Sequence, residues 1–264
     1  MKQPGFYILF FFIACIGLFS SCLSNDDDAQ WSNFNGVCVT VGGDDVRGYK
    51  LYTDFGAILV PTTESLAGMP WLKEVQRAIV SFNLAEGSEN ITTLEEGKTY
   101  DVILNSTNGM SQQIPTFIVH VDTLSKAYQT SGQDSIRLKN KSIRSIDTTA
   151  ESFYIKNGYM NVVPTFEYDP YKPVFFLLYY DGEKDIDIIG NKLTLNLYFN
   201  NSIQNSYNSI SSLISLEMPG DIYYKFQDKG MDDNDLIDVY LNAETASGKE
   251  QMHCKMALKD FMLP

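Results

Sequence analysis

The sequence has few of the residues that enzymes most often use for catalysis. Its two histidines, His120 and His253, each lie in a strand-like alternating pattern, and neither has a partner at HExxH-type spacing. GxSxG, Walker-type and GxGxxG motifs are absent from the sequence. We therefore predict that both histidines are structural and that the protein is not an enzyme and holds no cofactor or metal ion.

Basic residues are scarce as well. The chain has 20 lysines and arginines against 33 aspartates and glutamates, which gives a formal net charge of −13. An acidic surface repels phosphate backbones, and no basic patch interleaved with aromatic residues offsets that repulsion. We therefore expect no nucleic-acid partner.

Long apolar runs are limited to one, which covers residues 6–19 and contains no charged side chain. A run of this length is too short to span a bilayer comfortably, but it suits the apolar region of a signal peptide. The small residues Ser20 and Ser21 follow it and are compatible with cleavage. We predict that residues 1–21 are a signal peptide and that the rest of the chain is exported.

Cysteine is rare, and one of the 4 cysteines is placed as a site of lipid attachment would be. Residues 19–22, Phe-Ser-Ser-Cys, resemble a bacterial lipobox, whose cysteine thiol receives a diacylglycerol and becomes the new N-terminus. Cys15 is less suitable, because apolar residues follow it. Each buried methylene of an acyl chain contributes about 0.8 kcal/mol, so two or three chains on Cys22 would anchor the protein stably in a membrane.

A polar and acidic tract follows Cys22 directly: Ser24, Asn25, Asp26, Asp27 and Asp28. Runs of charge are commonly solvated linkers. This tract is also similar to the export signal of Bacteroidetes surface lipoproteins, which routes them to the outer leaflet. We predict that residues 22–30 form an acidic tether and that the protein lies on the outer membrane, exposed at the cell surface.

Residues 31–127 have the strand pattern of a small barrel. Short apolar or alternating runs favour five strands, at 36–41, 49–54, 57–61, 77–84 and 99–104. A helix-capable segment lies between the third and the fourth, as in an OB barrel. The sequence therefore predicts an all-β fold that begins with an OB-like β-barrel domain.

Residues 136–264 continue the all-β pattern after a polar linker at 128–135. Asn157-Gly158 predicts a two-residue hairpin turn. Further strands are predicted at 174–180, 192–199, 211–218, 222–226, 237–243 and 252–258. Several short strands separated by turn signals are typical of a β-sandwich, which we predict for this domain.

Several segments resemble the NigD-like lipoproteins of Bacteroidetes. In the first half they are TVGG, GYKLYTDFGAILVPT, QRAIVSFNL and KTYDVIL, and in the second half SIDTTAESFYIKNGYMNVV and VFFLLYY. The resemblance implies an N-terminal OB-like domain and a C-terminal β-sandwich. The family takes its name from an association with bacteriocin genes, so it also implies a possible role in bacteriocin immunity.

The remaining candidates for chemistry have ordinary alternatives. Cys38 and Cys254 could form a disulfide in an exported protein, but both lie inside strand runs far apart in the chain, which favours two separate thiols. The acidic runs at 181–187 and 231–238 could bind calcium or supply paired carboxylates to a glycan hydrolase, although solvated turns explain them as well.

Two further patterns concern glycans. Trp31 and Trp71 are candidates for stacking on sugars, and Trp71 could instead plug the bottom of the barrel. Three residues fit an Asp-Ser/Thr pattern that resembles the O-glycan acceptor of exported Bacteroidetes proteins: Thr123, Ser135 and Thr148.

Together these patterns predict a surface lipoprotein, attached to the membrane through Cys22, that acts as a non-catalytic binding module for a protein or glycan at the cell surface. The exposed face of the OB barrel is the default ligand site. A glycan-processing hydrolase with paired carboxylates is the alternative.

Overall fold

The computed structural model describes residues 33–85, 91–105, 111–114, 116–118, 140–149, 152–169, 171, 174–180, 182, 184–201 and 208–264. The predicted signal peptide, Cys22 with its tether, Trp31, His120, Thr123 and Ser135 lie outside these residues, as do the predicted domain limits at 127 and 136. The chain forms two compact units. Within the described residues, 33–74 and 78–112 belong to the first unit, and 75–77 and 113–264 belong to the second.

The first unit is a closed barrel. Its strands are β1 (Asn33–Asp44), β2 (Gly48–Thr53), β3 (Ile58–Pro61), β4 (Arg77–Leu84) and β5 (Thr99–Leu104), and the short β6 (Gln112–Gln113) lies beside β4. The strand order is β1-β2-β3-β5-β4, and β1 also pairs with β4, which closes five strands into a barrel. The pairing of β3 with β5 is parallel. The predicted OB-like barrel is therefore confirmed.

Between β3 and β4 the chain forms the predicted helical segment. It consists of α1 (Thr63–Ala67) and a 3₁₀ helix (Pro70–Glu74). The Thr62 side chain accepts a hydrogen bond from the Ser65 backbone and caps α1. Leu72 is fully buried, whereas Trp71 is only half-buried. Leu72 is thus the side chain of this 3₁₀ helix that packs into the core.

The second unit contains twelve strands among its described residues. They are β7 (Thr116–Ile118), β8 (Ser145–Ile146), β9 (Tyr154–Lys156), β10 (Tyr159–Val162), β11 (Pro164–Tyr168), β12 (Val174–Tyr179), β13 (Ile186–Asp187), β14 (Lys192–Asn201), β15 (Asn208–Ser211), β16 (Ile214–Glu217), β17 (Leu236–Thr245) and β18 (Gly248–Ala257). The unit also has α2 (Gly220–Gln227) and a C-terminal 3₁₀ helix (Leu258–Phe261).

These strands form three sheets around one hydrophobic core. The orders are β7-β16-β10-β9, β15-β11-β8 and β12-β14-β17-β18, and β13 pairs with β14. Inward side chains from the large third sheet, such as Leu195 and Leu241, share the core with Met160 and Leu216 of the first. This arrangement confirms the predicted all-β fold with a C-terminal β-sandwich.

Two details of the strand prediction were wrong. Residues 222–226 belong to the helix α2, because Ile222, Tyr223 and Phe226 are spaced to share one helical face and are buried on it. Residues 211–218 are not one strand: β15 ends at Ser211 and pairs with β11, whereas β16 begins at Ile214 and pairs with β10. The chain therefore changes sheets at this point.

The Asn157-Gly158 turn is confirmed and is held by the C-terminal segment. Both residues have positive φ, 52° and 77°, as a type I′ turn requires. The Gly158 N–H donates to the Asp260 carbonyl at 2.9 Å, and the Lys156 ammonium lies 2.8 Å from the Asp260 carboxylate. Phe261, in the same segment, is 1% exposed.

A fully buried arginine lies in the second unit. Arg77, the first residue of β4, donates from Nε to Ser215 Oγ at 3.2 Å and from Nη2 to Asn161 Oδ1 at 2.8 Å. Ser215 Oγ in turn donates to Asn161 Oδ1 at 2.6 Å. The guanidinium carbon lies 5.5 Å from the centre of the Tyr159 ring. Burial raises the pKa of Tyr159 to about 12, so this ring stays neutral.

Candidate functional site

The candidate site is the outer face of the β12-β14-β17-β18 sheet. Alternate residues of β14, β17 and β18 point into the core, and the residues between them line the opposite side. Strand register places these outward residues beside one another: Lys192 with Asp238 and Lys255, Thr194 with Tyr240 and His253, and Asn196 with Asn242 and Gln251. We call these residues, together with Glu244 and Lys249, the outer face.

Three side chains of the outer face are stacked. The Tyr240 and His253 rings have centres 4.6 Å apart with an interplanar angle of 28°. The Lys192 ammonium lies 4.4 Å from the centre of the Tyr240 ring, a cation–π contact. Lys192 and His253 come from the two strands that flank β17, so Tyr240 is held between them. This packing restricts the rotamers of all three side chains.

Asp238 contacts both the His253 ring and the Lys255 ammonium. His253 Nε2 lies 2.6 Å from Asp238 Oδ1, and the Lys255 ammonium lies 3.5 Å from Asp238 Oδ2. The hydrogen bond from His253, together with the nearby charge of Lys255, holds the pKa of Asp238 below its usual value. Asp238 is therefore a carboxylate at neutral pH, and it is hydrogen-bonded to His253 Nε2.

The next row consists of three linked amides. Gln251 Nε2 donates to Asn242 Oδ1 at 2.8 Å, and Asn242 Nδ2 donates to Asn196 Oδ1 at 3.1 Å. An amide has two N–H donors and an oxygen with two lone pairs. These two bonds use one donor and one lone pair of Asn242, so the row is fixed in place while keeping hydrogen-bonding capacity for a ligand.

Sequence reasoning assigned His253 a structural role on a strand face. The structure places it on the outer face of β18, where it contacts both Tyr240 and Asp238. The alternation of β14, β17 and β18 is visible in the sequence, but the contacts depend on a register between strands that are distant in the chain. The site as a whole was therefore missed.

The two cysteines of the described chain are thiols and not a disulfide pair, as predicted. Burial raises the pKa of Cys254 to about 12. A thiol with so high a pKa is almost entirely protonated at neutral pH and is a poor nucleophile.

Carboxylates of the two acidic runs hold local structure, two of them in turns and one against the helix α2. Asp187 Oδ1 accepts from the Gly190 backbone at 2.9 Å, Asp235 Oδ2 accepts from the Asp232 backbone at 2.7 Å, and Asp233 Oδ1 accepts from the Tyr223 hydroxyl at 2.6 Å. Within the part of the chain that the structure describes, no group of three or more His, Cys, Asp or Glu side chains is arranged to hold a metal ion.

The default OB ligand surface is less polar than the outer face. Its side chains on β2 and β3 include Lys50, Tyr52, Ile58 and Val60, and the last three are half-buried. Thr148 is exposed in the loop after β8, where Asp147 Oδ1 accepts from the Thr149 backbone at 3.0 Å. O-glycosylation at Thr148 stays a prediction. Among the described residues, no helix has the length and hydropathy needed to cross a membrane.

No protein-family model and no curated protein matches the chain. Solved structures do. A protein of Parabacteroides distasonis described as a candidate toxin-related protein matches with a TM-score of 0.55 and 17% identity, over 86% of this chain and 95% of its own. A candidate lipoprotein of Bacteroides fragilis matches with a TM-score of 0.55 and 10% identity, over 86% of this chain and 97% of its own.

The structural neighbours also include a NigD-like immunity protein from Bacteroides caccae, with a TM-score of 0.47 and 14% identity, over 88% of this chain and 99% of that protein. At these identities the two likenesses with a TM-score of 0.55 show a shared fold and nothing about activity. The fold is thus one that occurs in Bacteroidetes proteins of nearly the same extent.

Proposed function

We propose that the chain, which has this fold, is a NigD-like surface lipoprotein that binds a partner without catalysing a reaction, and that the outer face is its binding surface. The linked side chains of that face carry the proposal. Polar residues on the solvent side of a sheet need not contact one another. Here six of them do, three in the ring and ammonium stack and three in the row of amides, and these contacts fix their positions. A surface that is ordered before binding loses less conformational entropy when a partner arrives.

The rest of the site supports binding in preference to catalysis. His253 is hydrogen-bonded to Asp238 and packs on Tyr240, so its near neighbours in these contacts are a carboxylate and a ring and not a nucleophile. In the acidic runs that a hydrolase could use, Asp187 and Asp235 hold turns, and Asp233 accepts from the Tyr223 hydroxyl. The partner is a protein or a glycan at the cell surface, and bacteriocin immunity or an accessory role belongs to this class.

The binding role is tested by comparing two tyrosines, the half-buried Tyr240 and the exposed Tyr224. Tyr240→Ala opens the stack on the outer face, whereas Tyr224→Ala removes a tyrosine that is 52% exposed on α2. We expect beads that carry the Tyr240→Ala protein to retain at least about tenfold less of the material captured from envelope extracts, because a central tyrosine commonly contributes more than 1.4 kcal/mol to binding. Equal loss in both variants, or loss in neither, would contradict a binding role for the face.

The membrane anchor is tested by Cys22→Ala, with Cys15→Ala as the matched control. We expect palmitate labelling of the protein to disappear in the first variant and to persist in the second, since only Cys22 lies at the lipobox-like position. Labelling that survives Cys22→Ala would refute the anchor.

Whole cells also serve to test the prediction that the acidic tract exports the protein to the cell surface. Replacing Asp26, Asp27 and Asp28 together by alanine should leave palmitate labelling intact and reduce digestion of the protein by protease added to whole cells. Digestion in lysed cells serves as the control for protease sensitivity. Unchanged digestion in whole cells would mean that the tract is a linker and not an export signal.

A further inference from the structure

Within the outer face as defined, the lysines and carboxylates lie at the two ends. Lys192, Asp238 and Lys255 lie at one end, and Glu244 and Lys249 lie at the other. With Asp187, which adjoins Lys192 from β13, these ends hold three acids and three bases. The chain as a whole has 33 acidic residues against 20 basic ones. The rows between the ends consist of five uncharged side chains and one imidazole: Thr194, Tyr240, Asn196, Asn242, Gln251 and His253.

This distribution favours an uncharged partner. A charged ligand placed across the middle rows would lose hydration there and find no opposite charge to replace it. An uncharged ligand has no charged group whose hydration must be replaced. The charges at the two ends of the face are balanced by their neighbours. Lys255, for example, lies 3.5 Å from Asp238.

The middle rows match a ligand that is rich in hydroxyl groups. Amide, phenol and alcohol groups each offer both a donor and an acceptor, and a hydroxyl needs both. Neighbouring strands are about 4.8 Å apart and same-face residues of one strand are about 7 Å apart, so these groups form a regular grid of paired donors and acceptors.

A protein partner fits this surface less well. The centre of a protein–protein interface is apolar and its rim is polar. On β14, β17 and β18 the outward side chains between Lys192 and Lys249 include hydroxyls, amides and rings with polar atoms, and no aliphatic side chain.

We infer that the outer face binds an uncharged oligosaccharide, with the amide row Asn196–Asn242–Gln251 bonding its hydroxyls. This inference rests on the proposed binding role of the face and specifies the class of the ligand.

Affinity electrophoresis of the purified full chain in detergent tests the inference. The probes are the neutral polysaccharides yeast mannan, xyloglucan, galactan and dextran, with polygalacturonate as the charged comparison. We expect at least one neutral polysaccharide to retard the protein and polygalacturonate to have no effect. Asn242→Asp, which keeps the size of the side chain but replaces its donor with a charge, should weaken the retardation at least about tenfold. Lys229→Gln, on the loop after α2, should leave it unchanged.

The outcomes separate this inference from the proposed function. Retardation by none of the neutral polysaccharides, or equal retardation of wild type and Asn242→Asp, overturns the glycan assignment. Stronger retardation by polygalacturonate also overturns it. Suppose that the glycan assignment fails, but beads carrying the Tyr240→Ala protein still retain less material from envelope extracts than beads carrying the wild type. The face then binds a protein, and the proposed function stands.

Discussion

Replacing Arg77 by methionine is expected to lower the free energy of unfolding by about 3 kcal/mol or more. The substitution keeps an apolar stem of similar length but removes the two donors that reach Ser215 Oγ and Asn161 Oδ1. Both acceptors are completely buried, so water does not replace the lost bonds. A buried polar atom that loses its partner costs about 1–3 kcal/mol.

Two further variants identify the cause of that loss. Arg77→Lys should also destabilise the protein, because a single ammonium cannot reproduce the fork that spans two acceptors. Ser215→Ala should cost less in the Arg77→Met background than in the wild type, since the hydroxyl has already lost its bond from Arg77 there and keeps only the one to Asn161. Urea denaturation gives the free energies, and hydrogen exchange in β10 and β16 locates the effect. Additive losses in the double variant would show that Arg77 and Ser215 do not act as one network.

Replacing Phe261 by alanine is expected to cost about 3–5 kcal/mol, the range for removing a large aromatic side chain from a core. Phe261 is 1% exposed, and its 3₁₀ helix is held on both sides. The Leu258 and Lys259 backbone N–H groups donate to the Asp235 and Asp233 carbonyls, each at 2.9 Å. The backbone around Phe261 is therefore restrained, and the cavity is expected to collapse only in part.

Hydrogen exchange gives this prediction a second measurement. The Gly158 N–H donates to the Asp260 carbonyl, so exchange at Gly158 should accelerate in Phe261→Ala as the C-terminal segment loosens. Leu263→Ala is the matched control, because Leu263 is 49% exposed and should cost less than about 1 kcal/mol. An effect of Phe261→Ala no larger than that of Leu263→Ala would mean that the C-terminal segment contributes little to the core.

Local patterns in the sequence were enough to predict the barrel and the hairpin. In the runs of β1 to β5, apolar residues alternate with polar ones or are continuous. Asn157-Gly158 has the positive φ angles of the type I′ turn that this dipeptide favours. The prediction of a strand at 222–226 was wrong because Ile, Tyr and Phe also favour strands when they are half-buried on a sheet. In the structure these side chains pack against the core from one face of a helix.

The outer face and the arginine could not be predicted in the same way. Tyr240 and Lys192 are far apart in the chain, and nothing local specifies that their strands pair in parallel. Arg77 opens a strand, a position where an arginine is ordinarily solvated, and its burial depends on Asn161 and Ser215, which come much later. Tertiary contacts of this kind are fixed only by the complete fold.

The parallel pairing of β14 with β17 determines how the second unit can fold. Between the two strands the chain enters two other sheets, through β15 and β16, and forms α2 before it returns to the centre of the large sheet. The central ladder therefore closes only after a long loop has been ordered, and its contacts are non-local, which slows folding. A nascent chain that ends before Leu236 has β12 and β14 but lacks β17 and β18, so the large sheet of the second unit can close only after most of the chain has been made.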